Sequence, residues 1–211
     1  MQTVLSHVDH LVYATAELGR GMAEIEQLLG VRPSVGGRHP LWGTCNAIVA
    51  LGPRCYLEII APDPEHPPMG GERPFGLDAG GPSRLVGWAA TGRELGLFRQ
   101  RAAQLGVELG TLIGGSRERA DGTLLAWDLT DPQRVLADGI VPFFIDWGDS
   151  PHPAKSAPQG ATLVRLAAEH PQPARVQRML QSLTIVLLVT PGPAARLSAQ
   201  IDCPKGRVTL G

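Results

Sequence analysis

The order strand, helix and three strands recurs along this chain of 211 residues, and this repetition constrains the fold more than any other feature. The first copy opens with residues 7–15, where side chains of alternating character predict a strand. Successive side chains of a regular strand point to opposite faces, so Val8, His10 and Val12 are predicted on one face and Asp9 on the other. The histidine is therefore expected to share a face with apolar residues.

The rest of the first copy follows without a long break. Residues 18–29 carry apolar side chains at helical spacing and predict a helix, with Gly30 as its cap. The next segment, residues 32–43, reads as strand or loop, and strands are predicted over residues 44–51 and 54–61. This unit is βαβββ.

The second copy is predicted to contain a strand over residues 83–91, a helix over 94–106, and strands over 122–131 and 139–148. The glycine pairs at 36–37, in the first copy, and at 114–115 are predicted to lie in loops. A shorter third copy has a strand over 161–171, a helix over 173–183, a strand over 185–192 and a hairpin over 196–210.

These elements predict an α+β fold of tandem βαβββ modules with a partial third module. The boundaries are a first module over residues 1–62, a linker rich in proline and glycine over 63–82, a second module over 83–150, and a third unit over 151–211. We expect the third unit to cover sheet edges or apolar surface of the first two, or to form a dimer contact, and to carry no chemistry.

Composition excludes several functions. With 19 basic and 20 acidic residues the formal net charge is −1, which is unlike a protein that binds nucleic acid through its phosphates. No segment approaches the roughly 18–20 apolar residues of a membrane span, so a cytoplasmic protein without a membrane partner is expected. The three cysteines lack the spacing of a zinc site or a disulfide framework.

Common catalytic signatures are also missing. The sequence contains no GxSxG elbow, no P-loop, no HExxH, and no GxGxxG after a strand. A nucleotide cofactor is therefore not expected. A carboxylate at Glu58, between large apolar residues of a predicted strand, costs several kcal/mol to bury unless it is paired or bound to a cation, which marks it as a site residue.

Four segments carry a family resemblance: VDHLVYAT, GGRHPLWGTCNAIVALG, YLEIIAPDP and PFFIDWG. Together they resemble the glyoxalase-like branch of the vicinal oxygen chelate superfamily, over about residues 4 to 211. The resemblance implies paired modules that curl around a cavity with a divalent metal, with ligands from the first and last strands of each module.

Residue by residue, the resemblance implies His10 and Glu58 as metal ligands or catalytic groups, with Asp146 as the carboxylate of the second module. Leu85, or a neighbour, stands where a second histidine is expected, so a four-ligand site is in doubt and His39 is a candidate to fill the gap. The donor set suits one divalent ion of iron, manganese, zinc or nickel. Whether a metal is bound stays open.

The resemblance implies a small-molecule enzyme with isomerase or lyase chemistry on an oxygenated or carbonyl-bearing substrate, and makes a dioxygenase a weaker reading. A protein that only binds or sequesters a small molecule in the same cavity is the alternative. A homodimer is left open. The residues predicted to contact substrate are Arg38, Trp42, Asn46, Trp147 and His152, with His39 as a further catalytic candidate.

Overall fold

A computed structural model describes residues 4–69, 71–118 and 124–211 of the chain. The first module contains the strand β1 (Val8–Ala14), the helix α1 (Leu18–Leu29) and the strands β2 (Ser34–His39), β3 (Thr44–Gly52) and β4 (Cys55–Pro62). Helix α1 ends as predicted, because Gly30 adopts a left-handed conformation (φ 71°) and its N–H donates to the carbonyl of Glu26.

The second module repeats the same order. It contains β5 (Arg84–Thr91), α2 (Leu95–Gln104), β6 (Leu112–Glu118), β7 (Leu124–Thr130) and β8 (Phe143–Asp146). The strand predicted over residues 122–131 begins outside the described residues, and β8 is shorter than predicted. Residues Ala137–Gly139 form a short 3-10 helix just before it, and Pro142 has no N–H to donate to a sheet.

Both glycine pairs lie in strands at the two edges of the sheet, so their prediction as loops is wrong. A Cβ at Gly36 would collide with the side-chain oxygen of Asn46, and a Cβ at Gly115 would lie 2.5 Å from the ring of Trp127. These edge strands need glycine because a side chain of the neighbouring strand lies over the backbone. The loss of side-chain alternation at these glycines removed the usual strand signal.

The two modules form one curled eight-stranded sheet with the order β2-β3-β4-β1-β5-β8-β7-β6. In each module the first strand pairs in parallel with the last, β1 with β4 and β5 with β8. The modules join where β1 and β5 pair in antiparallel orientation. The first strands of both modules therefore lie at the centre of the sheet, and the glycine-bearing strands lie at its edges.

The third unit forms a separate four-stranded sheet. Its elements are β9 (Thr162–His170), α3 (Pro173–Ser182), β10 (Val189–Pro191), β11 (Arg196–Cys203) and β12 (Gly206–Leu210), and the strand order is β10-β9-β11-β12. The predicted hairpin is β11 and β12. The unit keeps the βαβββ order along the chain, but its first strand lies inside the sheet, between the second and third strands.

The main core lies between one face of the large sheet and the third unit with its helix. It contains buried side chains from β1, α1 and β3 together with Leu166 of β9, Leu180 of α3 and Ile201 of β11. The opposite face of the large sheet carries two smaller apolar clusters. Among the described residues, no helix is long and apolar enough to cross a membrane.

Candidate active site

A cavity with a solvent-accessible volume of about 60 Å³ lies on the face of the large sheet that points away from the main core. His10 of β1 and Glu58 of β4 line it from neighbouring parallel strands. The register pairs His10 with Tyr56 and Val12 with Glu58, which places both functional side chains on one face. His10 Nε2 and Glu58 Oε2 are 3.7 Å apart, so both groups face the same part of the cavity.

Asp9 is brought beside His10 by an irregularity in β1. Val8 pairs with Ala90 of β5 and His10 with Ala89, so Asp9 is an extra residue in this antiparallel pair. Such a β-bulge interrupts the alternation of side chains and re-aims one of them. The prediction that Asp9 lies on the opposite face from His10 is therefore wrong, and Asp9 is the functional residue that the sequence reasoning missed.

The Asp9 carboxylate is fully buried and accepts hydrogen bonds from four side chains. His10 Nδ1 lies 2.9 Å from Oδ1, His152 Nε2 lies 3.2 Å from Oδ2, and Trp147 Nε1 lies 3.1 Å from Oδ2. The hydroxyl of Thr91 adds a longer contact of 3.4 Å. Burial by itself raises the pKa of Asp9, but its hydrogen bonds with His10 and His152 and its electrostatic attraction to them outweigh this effect and lower the pKa to about 2.

This ionised carboxylate fixes which ring nitrogen of each neighbouring histidine carries a proton. An ionised carboxylate can only accept, so His10 Nδ1 carries a proton and His10 Nε2 is the nitrogen that faces Glu58. His152 Nδ1 accepts from the N–H of Ala154, so its Nε2 carries the proton that is donated to Asp9. His10 is thus held in the tautomer whose free nitrogen can accept a proton from the cavity.

Glu58 is oriented by a second chain of hydrogen bonds. Asn46 Nδ2 donates to Glu58 Oε1 at 2.6 Å, and Gly37 N–H donates to Asn46 Oδ1 at 2.8 Å. The backbone of β2 thereby fixes the Asn46 amide, which leaves Glu58 Oε2 directed toward His10. The glycine at position 36 leaves the space that this amide occupies.

Aromatic rings make up much of the cavity wall. Tyr56 stacks on His10 with the ring centroids 4.7 Å apart and an angle of 21° between the planes, and Phe143 meets His10 edge-on at 5.5 Å. Trp127 and Trp147 contact each other at 5.4 Å. The further aromatic residues that line the cavity are Trp42 and Phe75. Stacking confines the His10 ring from one side and leaves its Nε2 edge accessible.

The structure brings most, but not all, of the predicted substrate-contacting residues to this cavity. His39, Trp42, Asn46 and Trp147 line it. His39 Nδ1 lies 3.0 Å from the hydroxyl of Thr44, in the turn that leads into β3. Tyr56 and Phe143 were missed, although Tyr56 stands two residues before Glu58 and so on the same face of a predicted strand.

Three predicted site residues do not line the cavity. Arg38 is half-exposed and donates to Asp63 at 2.8 Å, outside the cavity. His152 is buried behind the wall, where it donates to Asp9 instead of meeting substrate. Asp146 lies on an outer groove and accepts from the N–H of Gly148, so it caps a turn.

Pairing in the second module explains the displacement of Asp146. The parallel pairs are His10 with Tyr56 in the first module and Ala89 with Phe143 in the second. Two residues beyond Tyr56 is Glu58, and two residues beyond Phe143 is Ile145. The second module therefore places Ala89 and Ile145 where the first places His10 and Glu58, and Asp146 is offset by one residue onto the other face.

Comparison with known proteins places this architecture in a family. The family model described as a glyoxalase-like domain matches residues 8–184. The chain belongs to this glyoxalase-like domain family, within the vicinal oxygen chelate superfamily. No curated protein matches the sequence.

Solved structures share the fold of this glyoxalase-like protein. A hypothetical protein from Staphylococcus aureus has 12% sequence identity and a TM-score of 0.65, with 96% of this chain and 83% of that chain covered. The methylmalonyl-CoA epimerase from Mycobacterium tuberculosis has 17% identity and a TM-score of 0.47, with 70% of this chain and 92% of that chain covered. At these identities the likeness to the Staphylococcus protein extends to the fold alone.

A divalent metal is common in this superfamily, and the donor set of the glyoxalase-like chain can be tested against it. His10 and Glu58 are two donors with well-ordered partners behind them. Catalytic zinc sites usually have three protein ligands. In the described ranges no group of three or more His, Cys, Asp or Glu residues is arranged to hold an ion. At the equivalent positions the second module has Ala89 and Ile145, which are not metal ligands. His10 and Glu58 by themselves therefore do not fit a protein-held metal centre.

Proposed function

We propose that this protein is an isomerase or lyase that moves a proton next to a carbonyl group of a small organic substrate. The observation that carries the proposal is the buried Asp9–His10 pair, whose free imidazole nitrogen lies 3.7 Å from Glu58 across the cavity. A carboxylate behind an imidazole orients the ring and stabilises the imidazolium that forms when the ring takes a proton.

His10 is the proposed base. Its Nε2 takes the proton from the carbon next to the carbonyl, and the electrons of the C–H bond move to the carbonyl oxygen. Asp9 balances the new charge without leaving its hydrogen bonds. The proton now on His10 returns to a carbon of the intermediate directly or by way of Glu58, which Asn46 orients and whose Oε2 lies 3.7 Å from His10 Nε2, and His10 is thereby regenerated as the base.

Deuterium exchange tests this directly. The protein is incubated in D₂O with small 2-hydroxy aldehydes, 2-oxo acids and 3-oxo acids, with and without a phosphate group, and the carbon-bound protons are followed by NMR. We expect exchange of one proton next to the carbonyl, slowed about 100-fold or more by His10→Gln. The matched control is His66→Gln, because His66 is an exposed histidine outside the cavity, beside Asp63.

Binding without chemistry is the second candidate, and the aromatic wall favours it. Six aromatic side chains line the cavity, as in sites that hold planar ligands by stacking. The two functions separate in the same experiment. Saturable binding of a panel compound with no exchange above the rate without protein would support sequestration and contradict proton transfer.

Elemental analysis tests the metal separately. Because no third potential ligand in the described part of the chain joins His10 and Glu58, we expect protein purified without chelator to contain iron, manganese, zinc or nickel well below one ion per chain. One tightly held ion per chain that is lost in Glu58→Gln would contradict the donor count. The control is Asp146→Asn, since that carboxylate lies outside the cavity.

A further inference from the structure

A second, larger groove adjoins the cavity. Its volume is about 440 Å³, and Phe75, Pro132 and Phe143 line both spaces. The cavity around His10 has a volume of about 60 Å³, which is room for a few water molecules or one small functional group. A substrate whose reacting carbon lies at His10 therefore has space for its remaining atoms in the groove.

The groove is lined by three arginines from separate parts of the fold. Arg84 belongs to β5, Arg134 to the segment after β7, and Arg196 to β11 of the third unit. Across the described part of the chain, none of the three lies within ion-pair distance of a carboxylate. Two carboxylates share the groove: Asp138, which His170 Nε2 contacts at 3.2 Å, and that of Gly211, beside Arg196. The groove thus has an excess of positive charge.

Strained backbone lines the groove at two places in the chain. The wall at Phe75 (φ 63°) is the first, and the wall at Asp138 (φ 54°), which follows Ala137 (φ 47°), is the second. These are three of the five non-glycine residues with positive φ in the described ranges. Such backbone conformations are unfavourable for residues other than glycine and cluster at ligand clamps. Arg84 Nη2 lies 3.6 Å from where a Cβ on Gly76 would be, which places its guanidinium against the first wall.

We infer that this groove binds an anionic arm of the substrate, a phosphate or carboxylate group, through Arg84, Arg134 and Arg196. Guanidinium groups bind phosphate and carboxylate oxygens by paired hydrogen bonds, and arginines without an ion-pair partner among the described residues are suited to this. The inference rests on the proposed function in assigning cavity and groove to one molecule. The substrate class is then a small carbonyl compound with an anionic group several bonds from the reacting carbon.

Calorimetric titration tests the groove without turnover. Inorganic phosphate and malonate are titrated at low ionic strength into the wild-type protein, Arg84→Gln and Arg134→Gln. We expect saturable binding of one anion per chain, weakened about tenfold or more in each variant, since a hydrogen bond to a charged group is worth about 1.5–3 kcal/mol. Tighter binding of phosphate would identify a phosphorylated substrate, and tighter binding of malonate a carboxylate.

Two controls keep this result separate from the proposed function. Arg54→Gln changes an exposed arginine in the turn between β3 and β4, and it should bind both anions like the wild type. His10→Gln removes the proposed base and should also leave anion binding unchanged. Equal weakening by Arg54→Gln, or no saturable binding of either anion, would overturn the inference whatever the exchange experiment gives.

The deuterium exchange experiment provides a second test of the groove. If both proposals hold, Arg84→Gln raises KM about tenfold or more for substrates with an anionic arm and leaves KM for neutral analogues unchanged. An equal effect on both substrate types would contradict the groove assignment, while leaving proton transfer at His10 intact.

Discussion

At the scale of single residues, Asp9 is where the hydrogen bonds behind the cavity converge. Its carboxylate is the acceptor for His10, His152 and Trp147, which come from different parts of the chain. An ionised group that is fully buried survives only when donors replace its water, and here four side chains do so. The orientation of His10 therefore depends on a buried neighbour that does not itself line the cavity.

Asp9→Asn is expected to lower kcat for proton exchange about 100-fold or more, because an amide cannot stabilise the imidazolium and presents an N–H toward existing donors. The measurement is the exchange rate at saturating substrate. Asp146→Asn is the control, and we expect its rate to stay within about twofold of wild type. Equal rates for Asp9→Asn and wild type would contradict the positioning role.

The stability of the protein is also expected to depend on Asp9 in acid. The folded pKa of about 2 lies below the ordinary value of 3.8, so the stabilisation is complete above about pH 4 and is lost as pH falls toward 2. The shift corresponds to about 2 kcal/mol. Urea unfolding between pH 5 and pH 2 should show this loss in Asp146→Asn and a flatter dependence in Asp9→Asn. Parallel curves for both variants would contradict the lowered pKa.

Gly36→Ala tests the positioning of Glu58 through Asn46. A Cβ at residue 36 collides with Asn46 Oδ1, so the amide must move and release Glu58 Oε1. We expect a drop in kcat of about tenfold, with folding retained because β2 is an edge strand. Gly96→Ala, in α2, meets an ordinary contact of 3.9 Å to Leu112 at a backbone without positive φ and controls for a glycine replacement. Unchanged kcat in Gly36→Ala would show that Asn46 does not position Glu58.

At the scale of elements, the segment after β8 holds Asp9 in place from behind the cavity. Trp147 and His152 both donate to Asp9, and His152 also accepts from Ala154 at the start of the 3-10 helix Pro153–Lys155. One short stretch therefore connects the end of the second module to the bulged strand of the first. The β-bulge and this segment are needed together, because the bulge aims Asp9 and the segment supplies its donors.

His152→Ala is expected to destabilise the protein by about 1–3 kcal/mol, because a buried carboxylate loses a donor. The loss of this hydrogen bond also raises the folded pKa of Asp9 toward its ordinary value, so acid unfolding should begin at a higher pH. Circular dichroism against pH measures this. Lys155→Ala, an exposed change in the same 3-10 helix, should leave the midpoint in place. A common midpoint of acid unfolding for both variants would contradict the role of this segment in holding Asp9.

At the scale of the whole molecule, the third unit completes the main core. Its buried side chains pack in the same cluster as those of β1, α1 and β3, and Ala50 of β3 donates its N–H to the carbonyl of Pro158. The hairpin turn at Pro204 and Lys205 also lies against Gly30, the cap of α1. The three units therefore share apolar surface that none of them covers alone.

Deletion of residues 161–211 is expected to give insoluble protein, because it exposes the apolar face of the large sheet. Leu180→Ala, a fully buried change in α3, should lower the unfolding free energy of the whole chain by about 2–5 kcal/mol in one cooperative transition. Leu188→Ala, with the side chain 72% exposed, is the matched control. A soluble, folded fragment of residues 1–160 would show that the third unit is independent.

The sequence by itself determined the order of the strands and helices, and it placed His10 and Glu58 on the first and last strands of one module. Local periodicity is enough for this, because burial of one face imposes a period of two on strands and of 3.6 on helices. It also determined that His39, Trp42 and Asn46 belong near the site. The glycine pairs of the edge strands were wrongly predicted as loops, because the side-chain pattern is interrupted where a side chain of the neighbouring strand lies over the backbone.

Only the tertiary structure decided which carboxylates take part. A single extra residue in β1 moved Asp9 into the site, and a one-residue offset in β8 moved Asp146 out of it. Register between strands is set by packing and hydrogen bonding across the whole sheet, and a shift of one residue reverses the face of every side chain. The same long-range packing brings Arg84, Arg134 and Arg196 to one groove from three distant parts of the chain.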